Sequence, residues 1–109
     1  MTAGNADDRG VVRVVIWCRQ PASGPQPLQA AYHQVSTRLH GTQGLLGNAL
    51  LESLLDPGGW QVVSEWESFA AFRHWEQGAE HRAATAPLRP YQDTARPRVY
   101  DLYRVRAAY

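Results

Sequence analysis

The sequence predicts an α+β fold whose elements run in the order βαββαβ, with one extra short helix. Three observations carry this reading. A β-branched run stands near the start of the chain. Two stretches repeat their apolar residues at helical spacing. A compact turn signal separates two further apolar runs. At 109 residues, with 44% hydrophobic and 19% charged residues, the chain has the size and composition of one globular domain. A chain of that length buries roughly two-thirds of its unfolded surface, enough for one core.

Residues 1–10 are polar and aperiodic and read as a flexible tail, which leaves 11–109 as a single domain. Val11–Arg19 (VVRVVIWCR) is the clearest strand. Three prolines, a serine and a glycine between Gln20 and Pro27 make a loop. Leu28, Ala31, Tyr32, Val35 and Leu39 fall on one face of an amphipathic helix running to His40. Pro27 suits its first turn and Gly41 the position just past its end. Gly44–Leu55 is rich in leucine, but two glycines and an asparagine in its first five residues disfavour a helix. It reads as a second strand. The turn Asp56-Pro57-Gly58-Gly59 joins it to a third, Trp60–Trp66. Ser68 suits an N-cap for a helix bearing Phe69, Phe72 and Trp75. A short helix follows over about 79–86. Prolines 87, 90 and 97 make 87–98 mostly irregular, and Val99–Val105 is the last strand.

Two right-handed crossovers around a central hairpin make a split-βαβ, ferredoxin-like sandwich. With both helices on one face, the other face of the sheet is uncovered. In so apolar a chain that face calls for a partner, so a face-to-face homodimer is expected.

Several function classes are disfavoured. The net charge is +1, with 11 basic residues, all arginine, against 10 acidic, which argues against a nucleic-acid partner. No apolar run approaches a membrane span, and no leader pattern stands at the start, so a cytoplasmic protein with no membrane partner is expected. Cys18 is the single cysteine and the histidines form no ligand-spaced cluster, so no metal is expected. Phosphate-loop, dinucleotide and Ser-His-Asp patterns are absent. Four tryptophans and five tyrosines against two phenylalanines suit either a pocket for a flat, oxygenated ligand or an aromatic core.

Gly44-Leu45-Leu46-Gly47, Leu50-Leu51-Glu52-Ser53 and Asp56-Pro57-Gly58 together resemble the second strand and turn of the antibiotic-biosynthesis monooxygenase (ABM) family. Ser64-Glu65-Trp66-Glu67-Ser68, then Ala71-Phe72 and His81-Arg82, resemble its commonest signature. The resemblance covers about residues 11–105. It implies a dimeric α+β barrel with a pocket between sheet and helices. It also implies oxidation of a phenolic, polyketide-like metabolite in antibiotic biosynthesis, using molecular oxygen and no cofactor. Such chemistry works because an ionised phenol can itself reduce oxygen. The protein stabilises the anion, positions the reactants and excludes water. The same pocket could instead serve a cyclase or isomerase that uses no oxygen, or a non-catalytic binding subunit.

The resemblance places Trp66 in the site. The family's asparagine, four residues earlier, is here Val62, which cannot donate a hydrogen bond. Trp60, Val62, Ser64 and Trp66 share one strand face because side chains alternate. Ser64 or Asn48 could supply the missing donor. His74 and His81 are the candidate bases for a phenol, since imidazole titrates near neutrality. The candidate catalytic residues are therefore Trp66, His74, His81, Asn48 and Ser64. The candidates for lining the pocket of a small aromatic substrate are Trp60, Val62, Phe72, Trp75 and Tyr32.

Overall fold

The computed structural model describes residues 10–109. The expected tail, 1–10, falls almost wholly outside the described residues. The chain forms strand β1 (Val12–Arg19), helix α1 (Gln26–Leu39), strands β2 (Leu45–Glu52) and β3 (Gly59–Trp66), and helix α2 (Phe69–Glu76). Helix α3 (His81–Thr85), a 3₁₀ helix (Ala86–Tyr91) and strand β4 (Tyr100–Arg104) complete it. The four strands make one open antiparallel sheet in the order β2-β3-β1-β4. This is the expected ferredoxin-like arrangement.

Local chemistry sets the element ends. Helix α1 starts two residues before the expected Leu28, with Pro25 capping it and Pro27 in its first turn. Prolines tolerate these positions because the first helical N–H groups have no intrahelical partner. The Ser68 hydroxyl accepts from the Ala71 N–H and starts α2, as its sequence position suggested. Gly44, at φ +87°, sits where β2 passes under α2. A Cβ there would lie 2.5 Å from the Ala71 Cβ, so only glycine fits.

Two expectations need correction. Strand β2 ends at Glu52, not Leu55. The Ser53 hydroxyl accepts from the N–H groups of Leu55 and Asp56 and turns the chain early. Leu54 and Leu55 therefore stand 90% and 96% exposed at the hairpin tip. The 87–98 stretch is also more regular than its prolines suggested. Pro87 stands in the first turn of a six-residue 3₁₀ helix, whose Leu88 is buried against α1.

Alternation divides the sheet into two faces. Val12, Val14 and Cys18 of β1 and Trp60, Val62 and Trp66 of β3 point toward the helices and are buried. They pack with Leu28, Ala31, Val35 and Leu39 of α1, with Phe72 of α2 and with Leu88. The opposite face carries Val15, Trp17, Ala49, Leu51 and Val63 with no helix over it. Arg13 pairs with Glu65 at 2.6 Å on that face, and the Arg96 guanidinium lies 4.5 Å from the Trp17 ring centre.

Candidate functional site

Between the sheet and its helices lies a cavity of about 260 Å³. Its lining comes from all four strands and from α1, α2, α3 and the 3₁₀ helix. Trp66, Phe72 and Trp75 make its aromatic wall. The Trp66 ring meets Phe72 edge-on at 5.6 Å between centres and Trp75 at 5.1 Å. Val14 and Val62 form an aliphatic floor.

Hydrogen-bonding groups occupy the wall where β2 meets β3. Asn48 and Ser64 are register partners on these antiparallel strands. The Asn48 side-chain oxygen Oδ1 accepts from the Tyr32 hydroxyl and, at 3.0 Å, from the Ser36 hydroxyl. Both donors stand on α1, one turn apart. The Trp66 indole N–H donates to Ser64 Oγ at 3.0 Å. Trp66 is 1% exposed, so its indole reaches the cavity through its ring, and its N–H is occupied by Ser64.

The mouth is charged. His81, at the start of α3, sets its ring edge-on to Trp75 at 4.6 Å. Burial holds the His81 pKa below its ordinary 6.5. Glu76 opposes this, and Arg89 and Arg82 reinforce it. Arg89, from the 3₁₀ helix, is half-buried. Its Nη2 donates to the Arg82 carbonyl at 2.6 Å and to Thr85 Oγ1 at 3.3 Å. No carboxylate lies within ion-pair distance of Arg89 among the described residues. Across the mouth the Tyr100 hydroxyl donates to Glu76 Oε2 at 2.8 Å, and that bond raises the phenol's pKa.

Seven of the ten sequence candidates thus meet at one cavity: Asn48, Val62, Ser64, Trp66, Phe72, Trp75 and His81. Three do not line it. His74 lies on the exposed side of α2, because the same helix buries Phe72 and turns residue 74 outward. Trp60 is core, packed at the far end of β3, with its N–H donating to Gln20 Oε1 at 2.9 Å. Tyr32 supports the site from behind by holding Asn48.

Sequence reasoning missed Arg89, Glu76 and Tyr100. Arg89 sits in a proline-rich stretch with no periodicity to give its direction. The Glu76–Tyr100 contact joins residues 24 positions apart. A separate cleft of about 300 Å³ lies at the other end of the sheet, between Trp17, Glu52, Trp60 and Asp93. No histidine lines it. Among the described residues no cluster of His, Cys, Asp or Glu could hold a metal ion, and no helix is long and apolar enough to cross a membrane.

The chain has sequence relatives and fold counterparts among known proteins. Protein SchA of Streptomyces halstedii is 33% identical over 84 residues, 77% of this chain and 22% of that protein. The 42.8 kDa protein in the whiE locus of Streptomyces coelicolor is 33% identical over 84 residues, 77% of this chain and 21% of its own length. The chain therefore spans about a fifth of the length of these curated relatives. SnoaB, a cofactor-independent oxygenase from Streptomyces nogalater, shares the fold at a TM-score of 0.70 and 15% identity, over 90% of this chain and 94% of SnoaB. A protein from Bordetella bronchiseptica shares it at a TM-score of 0.72 and 14% identity, over 93% of this chain and 100% of its own. The pattern of the antibiotic biosynthesis monooxygenase family matches residues 20–87, from the loop before α1 to the start of the 3₁₀ helix, and so takes in most of the cavity wall. The chain belongs to the antibiotic biosynthesis monooxygenase family.

Proposed function

We propose that the protein is a cofactor-independent oxygenase that tailors a small phenolic, polyketide-like aromatic. The carrying observation is the cavity itself. It joins an aromatic wall, hydrogen-bond donors on one side, and a histidine whose pKa burial lowers, beside an arginine with no carboxylate partner among the described residues. A neutral His81 takes the phenolic proton. The donors and Arg89 stabilise the anion. The phenolate gives one electron to molecular oxygen, and the resulting superoxide and phenoxyl radical combine at the para carbon as a peroxide anion, which takes the proton from His81 to become a hydroperoxide. His81 then takes that carbon's proton as the O–O bond breaks, which leaves a quinone carbonyl and hydroxide. Hydroxide takes the proton from His81 and leaves as water. The balance is one phenol and one oxygen molecule to one quinone and one water. The family membership and the fold shared with SnoaB support this reading.

The helix-free sheet face supports homodimer formation, and light scattering should give about twice the 12.2 kDa chain mass. The function is tested by oxygen uptake with a naphthol-class phenol. Uptake matching quinone formation is the expected result. Equal turnover under argon would identify a cyclase or isomerase in the same pocket. Tight binding without turnover under either gas would identify a binding subunit.

A further inference from the structure

Asn48 and Ser64 have their hydrogen bonds arranged so that what remains points one way. An amide side chain has an acceptor oxygen and two donor hydrogens on its nitrogen. The Asn48 oxygen is taken twice, by Tyr32 and by Ser36, both on the α1 side. The nitrogen lies opposite that oxygen across the planar amide, so its hydrogens project away from α1. Ser64 shows the complementary case. Its hydroxyl oxygen accepts from Trp66, and an O–H that accepts on one side donates on another. No hydrogen bond occupies the Asn48 Nδ2 hydrogens or the Ser64 hydroxyl hydrogen among the described residues. Both residues line the cavity. As directly opposed residues of antiparallel strands, their Cβ atoms stand about 4.5–5.5 Å apart. One oxygen atom of a ligand can accept from both.

We propose that Asn48 and Ser64 form a two-donor cradle for an ionised ligand oxygen, with Tyr32 as a positioning residue that aims the Asn48 amide from outside the cavity. The cradle explains how a pocket with valine at position 62 can still hold an anion: the donors enter from β2 and from the middle of β3. It rests on the reading of the cavity as a phenol site. Trp66 and Tyr32 act on the ligand through Ser64 and Asn48, and neither N–H nor O–H of theirs touches it.

The test uses para-nitrophenol, whose absorption reports its ionisation, and para-nitroanisole, which has the same ring and cannot ionise. Wild type should lower the pKa of the bound phenol relative to free solution. A hydrogen bond to a charged oxygen is worth more than one to a neutral oxygen. Ser64→Ala and Asn48→Ala should therefore each raise the bound pKa by about 1, a tenfold loss in preference for the phenolate. Tyr32→Phe removes no ligand contact and no cavity wall, yet should cost roughly threefold in the same preference by loosening the amide. Affinity for para-nitroanisole should stay within about twofold in all three variants, since apolar packing is retained. Unequal anisole binding would make the effect one of packing and overturn the cradle. Phenol bound at its free-solution pKa would overturn the cradle and leave the aromatic pocket standing. Failure of both probes to bind would overturn the phenol site and the cradle together.

Discussion

Replacing Trp66 by Phe separates packing from hydrogen bonding at the centre of the cavity wall. Trp66 is 1% exposed and touches Phe72 and Trp75. Phenylalanine fills the inner part of its space and leaves a void of about 40 Å³, which at about 24 cal/mol per Å³ costs about 1 kcal/mol. The lost apolar contact adds about 1 kcal/mol, and the lost bond to Ser64 another ~1 kcal/mol. A total of about 2–3 kcal/mol in a domain of this size lowers the melting temperature by roughly 10–20 °C. Scanning calorimetry measures that part. The chemical part is read from bound para-nitrophenol. Without the indole N–H, the Ser64 hydroxyl is free to rotate, and its donor is no longer aimed. The bound pKa should rise in part, and the double variant Trp66→Phe/Ser64→Ala should match Ser64→Ala alone, because both act through one hydroxyl. Strictly additive effects would refute that coupling. A variant melting at the wild-type temperature would refute the packing argument.

Three further outcomes follow from the same geometry. His81 has a folded pKa below 6.5, so it gives stability that is present above 6.5 and lost as pH falls through the folded value; the acid limb of turnover should lie below 6.5, and His81→Gln should abolish that limb and flatten the melting temperature between pH 5 and 7. Burial, aided by Asp93, pushes the Cys18 thiol up to about 11, so a thiol reagent at pH 8 should label the unfolded chain promptly and the folded chain barely at all. Leu51, 46% exposed on the helix-free face, is the place to test assembly: Leu51→Asp should reduce the mass in solution to a single chain, and an unchanged dimer would move the interface elsewhere.

The fold was legible because its signals are local. The β1 run, the α1 stripe and the Ser68 cap each lie within a few residues, and each element formed where its pattern placed it. The errors have a local cause of another kind. Leucines 54 and 55 extended an apolar run that the Ser53 side chain had already turned, and apolar content outweighed one hydroxyl in reading the strand. Proline content likewise hid the 3₁₀ helix. Proline opposes α-helical hydrogen bonding inside a helix, but it fits at the start of a short, tighter one.

The site was legible only where direction follows from period. Strand alternation put Ser64 and Trp66 on one face; that Asn48 stands opposite Ser64 comes from the register of β2 on β3, which spacing alone did not give. It could not say that the indole N–H would be used by Ser64, or that two α1 hydroxyls would claim the Asn48 oxygen. Those facts decide the chemistry. A serine and an asparagine each carry both donor and acceptor, so by sequence they are neutral as to charge preference. With the Asn48 oxygen taken twice and the Ser64 oxygen accepting from Trp66, the hydrogens of both residues are left for a ligand, which is the basis of the proposed preference for negative charge. Arg89 adds a positive charge to the same cavity lining, and burial lowers the His81 pKa. The proposed selectivity for an anion therefore rests on which lone pairs the fold consumes, and those contacts join elements that are distant in the chain.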